Sequence, residues 1–143
     1  MCYRQNGGNP RSVVFRAIVD RIALDGGADA DAYDDDPATI HVIGRADQAI
    51  CGTVRLYPVN GPARWKGDRL AVLASYRHLG LGAPLVRFAV RTAGQLGGQE
   101  MEAFIQPANV AFFRWLGWER TGDLVDYAGL PHQRMLIDLT RQT

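Results

Sequence analysis

The stretch Asp68–Leu96, DRLAVLASYRHLGLGAPLVRFAVRTAGQL, changes hydrophobic period partway along. It opens on the apolar run Leu70-Ala71-Val72-Leu73, which has the length and character of a buried strand. The turn Arg77-His78-Leu79-Gly80-Leu81-Gly82 follows, with two glycines spaced by one residue. Beyond it Leu85, Phe88, Ala89, Thr92, Ala93 and Leu96 fall on one helical face, and Arg87, Arg91 and Gln95 on the other. Pro84 sits in the first turn, where its missing N–H costs nothing. A strand, a glycine turn and a helix N-terminus together make an anion site. Free backbone N–H groups point outward, the helix dipole is positive there, and glycines let a phosphate approach. Arg77 at the mouth adds a charge-assisted donor.

Working outward, 143 residues predict one domain spanning 1–143, with no linker long enough to divide it. Sixteen basic against fifteen acidic residues leave a net charge of +1, which argues against nucleic acid or an acidic membrane as an obligate partner. The basic residues are almost all arginine, and Lys66 is the only lysine. Their scatter reads as a coding bias. Cys2 and Cys51 have no cysteine neighbours at metal-binding spacing, so no metal site is expected and free thiols in a reducing compartment are. No apolar run is long enough to span a bilayer, and the polar start MCYRQNGGNPR is not a signal peptide, so a cytoplasmic protein is expected.

Residues 1–11, rich in Gly, Asn and Pro, predict an irregular lead-in. Ser12 predicts the cap of a helix over 13–24, ended by Gly26-Gly27. Asp29, Asp31, Asp34, Asp35 and Asp36 then crowd into eight positions, either as a solvated acidic loop or as a mouth that attracts a cationic amine. Thr39–Ile43 and Ala49–Tyr57 read as a hairpin, and Trp65-Lys66-Gly67-Asp68 leads into the strand at 70–74. After the long helix, Met101–Gln106 reads as a strand. Strand, helix, strand at these lengths makes a right-handed crossover, so 70–74 and 101–106 are expected to run parallel. Asn109–Leu116 predicts a short aromatic helix closed by Gly117. Trp118–Asp123 and His132–Leu139 predict a final antiparallel pair joined by a connection over 126–131.

Two motifs carry a family resemblance. Arg77-x-x-Gly80-x-Gly82 after a strand resembles the (Q/R)-x-x-G-x-(G/A) pyrophosphate loop of the GNAT family of N-acetyltransferases. Dinucleotide-binding and P-loop units fit poorly, because no third glycine and no Gly-Lys-Ser/Thr follows. Downstream, Gln106-Pro-Ala-Asn109-Val-Ala-Phe112-Phe113-Arg-Trp-Leu116-Gly117-Trp118 resembles the family's N-x-x-A-x-x-F-Y-x-x-x-G-F. Order and spacing match, and the resemblance covers about residues 65–139. The entry at Trp65–Val72 and the ending Gly129–Met135 resemble a bacterial branch associated with nitrogen-starvation and nitrilase gene clusters.

The resemblance implies an α/β (α+β) fold: a mixed, mostly antiparallel sheet flanked by helices, with a parallel strand pair at an acyl-CoA cleft. It implies transfer of an acetyl group from acetyl-CoA to a primary amine by direct attack. The pyrophosphate would lie on amides of Arg77, His78, Leu79, Gly80, Leu81, Gly82 and Ala83, and Ala71 and Val72 would offer main-chain contacts to the pantetheine arm. Gln106 or Asn109 would serve where an asparagine usually meets that arm, with Asn109 alternatively a helix cap, and Phe112 and Phe113 complete the cofactor side. The implied partner is a small-molecule amine, cationic if the acidic run steers it, and a homodimer is compatible. The departures bear on mechanism. The family's tyrosine, which protonates the departing thiolate, falls on Phe113, which has no proton to give. Candidate proton handlers are Tyr127 and His132 around the final loop, then Asp68 and Glu102. Phe113 also leaves open a non-catalytic acyl-CoA-binding or regulatory module. No G-x-S-x-G supports a serine hydrolase.

Overall fold

The computed structural model describes residues 2–6, 12–18, 33, 36–46 and 49–141. Among them run β1 (Cys2–Asn6), β2 (Ser12–Ile18), β3 (Ile40–Ala46), β4 (Ala49–Pro58), β5 (Arg64–Val72), α1 (Gly82–Gln95), β6 (Glu100–Ile105), α2 (Val110–Trp115), β7 (Glu119–Arg120), β8 (Val125–Tyr127) and β9 (Leu130–Asp138). The strands lie in the order β1-β2-β3-β4-β5-β6-β9-β7, with β8 also on β9. Among the described strands only β5 and β6 pair parallel. The expected mixed, mostly antiparallel sheet with one parallel pair is therefore present.

The N-terminal expectations are corrected. Ser12 opens a strand, not a helix: β2 pairs β1 from Cys2↔Arg16 to Asn6↔Ser12 and β3 from Val13↔Ala46 to Ile18↔His41. Val13-Val14-Phe15 is β-branched and aromatic, and a strand bonded on both edges outweighs one capping serine. The irregular lead-in likewise holds β1. The remainder of the expected helix and Asp29, Asp31, Asp34 and Asp35 lie outside the described residues.

The central crossover follows the expected plan with shifted bounds. The strand begins at Arg64, so Trp65–Asp68 belongs to it, and Trp65 is buried. Its end at Leu70–Val72 is not a buried run, since Ala71 is exposed and its neighbours half-buried. Helix α1 buries Leu85, Val86, Phe88, Ala89, Val90, Thr92 and Ala93, whereas Leu96 lies past the helix and is exposed. Leu85 is fully buried. Truncating such a side chain to alanine costs about 2–5 kcal/mol. A Cβ at Gly52 would stand 2.8 Å from Leu85 Cδ1, so this glycine lets α1 close onto β4.

The expected C-terminal antiparallel pair is present as β7 on β9, from Glu119↔Leu136 to Arg120↔Met135, and only its connection is corrected. The connection over 126–131 contains β8, which folds back on β9 with Val125↔His132 and Tyr127↔Leu130. Ala128 and Gly129 both have positive φ, 55° and 83°, as a two-residue hairpin turn matched to strand twist requires. Among the described residues no helix is long and apolar enough to cross a membrane.

Candidate active site

The sheet opens where its parallel pair stops. β5 meets β6 only at Arg64↔Glu100, Trp65↔Met101 and Lys66↔Glu102. Further along, the β4–β5 register slips between Thr53 and Arg55, and Arg69 takes a left-handed conformation with φ 54°. A bulge bends and twists its strand. The end of β5 stays on β4 and leaves β6, so the two strands run parallel as expected but splay apart beyond Lys66, as the resemblance implies for 70–74 and 101–106. A cavity of about 420 Å³ fills the wedge. It touches Asp68, Arg69 and Leu70 on β5, and on β6 both Ala103 and Ile105 from one face and Phe104 from the other. The opening thus passes through the sheet.

At one end the cavity reaches Val86 and Ala89 of α1. The preceding 3₁₀ turn, Ala74–Leu79, holds Arg77, His78 and Leu79, and Gly80 closes it at φ 66° with its N–H on the Arg77 carbonyl at 3.2 Å. A Cβ at Gly80 would meet nothing, so glycine is needed for conformation. Gly82 and Ala83 precede the first helical bond, from Leu85 N–H to Leu81 O at 3.1 Å, and no side chain caps the helix. Leu81 buries its side chain in the core. Gly80 N–H is thus spent inside the turn, while the amides of Gly82 and Ala83 stand ahead of the first helical bond without a cap. Arg77 Nε donates to the Val72 carbonyl at 3.2 Å, tying the loop to the strand end.

Helix α2 brings the second motif alongside. Phe112 Cζ would lie 3.6 Å from a Cβ on Gly82. Phe113 is buried, lines the cavity and meets Trp118 edge-on at 5.5 Å. Gln106 and Asn109 both line the cavity, and Asn109 opens α2 without a side-chain capping bond, so capping does not occupy its amide. Trp118 is also buried and lines the cavity, and its indole N–H has no partner among the described residues. An orphan donor here and uncapped amides at α1 fit a ligand carrying a diphosphate and amide carbonyls, as acyl-CoA does.

The other end is built from side chains. Tyr127 and His132 both line it, with ring centroids 5.3 Å apart. Tyr127 stacks on Phe104 at 4.7 Å and accepts a hydrogen bond from Lys66 Nζ at 3.1 Å. His132 is buried, and its Nδ1 lies 2.9 Å from the Leu130 carbonyl. A carbonyl only accepts, so Nδ1 carries a proton, and in the neutral ring Nε2 holds the lone pair. Asp68 lines the cavity, but both its oxygens are engaged by Arg55, at 2.8 and 2.6 Å. Glu102 accepts from Arg134 Nε at 2.5 Å and is not among the lining residues. Beside this pair Tyr57 is buried, stacked on Tyr33 at 4.1 Å and 5.2 Å from the Arg55 guanidinium. Burial first, and then the Asp68 carboxylate, push its phenol well above the ordinary tyrosine range.

Sequence reading passes over Lys66, Arg55, Tyr57 and Trp118. The signals are present but weak: a lone lysine, and polar residues alternating with Val54 and Leu56 on β4. Away from the cavity, Cys51 donates its thiol to the Gly44 carbonyl at 3.1 Å, and burial pushes its pKa up, as an unreactive thiol requires.

The sequence matches the Acetyltransferase (GNAT) family over residues 16–118. No curated protein matches it. Among solved structures, the IAA acetyltransferase of Bacillus cereus is 15% identical, with 88% of this chain and 99% of that one covered at a TM-score of 0.69. Aminoglycoside 6'-acetyltransferase type Ii is 22% identical, with coverages of 73% and 71% and a TM-score of 0.63. The CoA-dependent acyl-homoserine lactone synthase BjaI, solved with SAM and isopentyl-CoA, is 19% identical at a TM-score of 0.67. The match covers 79% of this chain but only 64% of that synthase. At these identities the likeness is one of fold.

Proposed function

The chain belongs to the GNAT acetyltransferase family, whose members are acyl-CoA-dependent transferases, and on that premise we propose that it moves an acetyl group from acetyl-CoA to a primary amine by direct attack. One observation carries this reading: a single cavity passes through the sheet, with uncapped amides one turn from its α1 end and the Tyr127–His132 pair at the other. Acetyl-CoA would supply the acyl thioester. Gly82 and Ala83 N–H groups would hold its diphosphate, and Trp118 and Asn109 would meet the arm. The Val72 main chain is the proposed oxyanion donor.

The chain's own groups divide the proton traffic. His132 Nε2, with its lone pair free, accepts the proton of the attacking amine. Tyr127 donates. Its oxygen already accepts from Lys66, a donor-only group, so its own proton is directed elsewhere, toward the leaving sulfur. The C–N bond forms as the C–S bond breaks, and the thiolate leaves as thiol. Phe113 plays no acid role. The amine approaches as an ammonium ion, sheds one proton to solvent before attack and gives the second to His132, which then returns a proton to the Tyr127 phenolate. Tyr33 stacks on Tyr57 beside this end, and the Asp36 N–H donates to the Tyr33 carbonyl at 3.3 Å. The acidic run of the sequence, of which Asp36 is the described member, is proposed to draw in that cation.

The test is free-thiol release from acetyl-CoA across a panel of primary amines. Release well above buffer with at least one amine is the expected result. Tight CoA binding with no release from any amine leaves a binding module and overturns the transfer reading.

A further inference from the structure

Resting on that transfer reading, we propose that the acceptor amine carries a carboxylate, recognised by Lys66. Among the described residues, the two carboxylates that flank Lys66 are already paired. β5 presents Lys66 and Asp68 to the face that carries Arg55 and Tyr57 of β4, with Tyr57↔Lys66 and Arg55↔Asp68 directly opposite. Across the parallel pair Lys66 faces Glu102. Each neighbouring carboxylate already has its own guanidinium. Arg55 grips both oxygens of Asp68, and Arg134 holds Glu102. Lys66 is left without a carboxylate partner among the described residues.

Its surroundings place the charge for a ligand. The ammonium sits 4.7 Å from the Tyr127 ring centroid and 5.0 Å from that of Phe104, and both rings line the cavity. An ammonium has three N–H donors. One goes to Tyr127 Oη at 3.1 Å, and the other two have no acceptor among the described residues. A half-buried cation with spare donors, held against two rings that line the reaction cavity without itself lining it, favours an anion beside those rings. The Tyr127 contact further requires that anion to lie near the attacking nitrogen. Amino acids and short amino-carboxylates meet that description. Their ammonium end also suits the acidic entry, while their carboxylate end suits Lys66.

The experiment uses matched pairs of N-acetyl amino acids and their primary amides as product analogues, with affinities measured by calorimetry on the CoA-loaded protein. In wild type each acid is expected to bind at least about tenfold tighter than its amide, a difference of about 1.4 kcal/mol. Lys66→Met keeps the apolar stem and should erase that preference, whereas Lys66→Arg should retain it. Equal affinities in wild type, no binding of either partner, or a preference that survives Lys66→Met each overturns the proposal. Because binding is read without turnover, the result is separate from that of the thiol-release assay. A protein that releases no thiol but still prefers the acids has lost the transfer reading and kept the carboxylate site.

Discussion

The two ends of the cavity are made of different material. At α1 the binding surface is backbone, the amides of Gly82 and Ala83 exposed by a left-handed Gly80 and an uncapped helix. At the β8–β9 end it is side chain, with Phe104, Tyr127 and His132 delivered from β6, β8 and β9 and Lys66 of β5 bonded to Tyr127. A backbone site recognises a common chemical handle and depends on local geometry alone. A side-chain site depends on strands that meet only in the folded molecule, so it is free to vary while the first is kept. The two ends should therefore fail separately: changes at the hairpin should damage chemistry, and changes at the glycine loop should damage cofactor affinity.

The largest expected effect is at the hairpin. Loss of a working proton carrier costs about 10²–10⁴-fold in rate, so Tyr127→Phe and His132→Ala should each lower kcat within that range. Neither should change CoA affinity more than about twofold, a small fraction of the 1.4 kcal/mol that a tenfold change represents. Phe113→Tyr should alter kcat by less than about tenfold. Its ring is buried against Trp118 and Phe112, where an added hydroxyl has no assigned task. Steady-state kinetics checked against thermal melts separates chemistry from folding. If the hairpin variants lose melting temperature while kcat per folded molecule stays near wild type, the pair is structural and the division between the ends collapses.

Next in size is the glycine loop. Gly82→Val puts a branched side chain beside the free amides and toward Phe112, whose Cζ would already be 3.6 Å from a Cβ. CoA affinity measured by calorimetry should fall at least about tenfold, or 1.4 kcal/mol. Gly80→Val tests the same loop less cleanly, since φ 66° imposes a conformational cost of roughly 1–2 kcal/mol on any residue with a Cβ. Unchanged affinity in a folded Gly82→Val protein would move the diphosphate elsewhere.

The same contrast explains what the sequence could and could not reveal. A glycine turn between a strand and an amphipathic helix is local, and Arg77-x-x-Gly80-x-Gly82 is readable where it stands. So is α2, closed by Gly117 at φ 99°. The splay of β5 is not local, because it rests on the bulge that puts Arg69 at φ 54° opposite β4. Nor could spacing show that Arg55 would occupy Asp68, or that Lys66 would meet Tyr127 sixty-one residues later. The expected helix fails over 13–18 for the same reason. Its β-branched run is decided by strands on both sides, which no capping signal at Ser12 reports.

The smallest expected effect sharpens the comparison through pH, because amides do not titrate and the acceptor end carries a phenol that does. Tyr57 is 3% exposed, and burial together with Asp68 raises its pKa, against a weaker opposing pull from Arg55. In the unfolded chain this phenol ionises near pH 10. Below that pH both states hold the proton and the contribution to stability is fully present. Above it the unfolded chain releases the proton while the folded chain keeps it, so the folded state binds more protons and stability falls as pH rises. One proton sets a slope of at most about 1.4 kcal/mol per pH unit. Tyr57→Phe removes this contribution and no other. Urea unfolding between pH 8 and 11 should therefore show wild type losing up to about 1 kcal/mol more than the variant over the last unit, with parallel behaviour below pH 9. Curves that stay parallel throughout would mean that the Tyr57 phenol ionises as freely in the folded protein as outside it. The wall of rings and charges behind Lys66 would then be open to water, and the acceptor end would lose the desolvation that gives its unpaired cation a preference for a carboxylate.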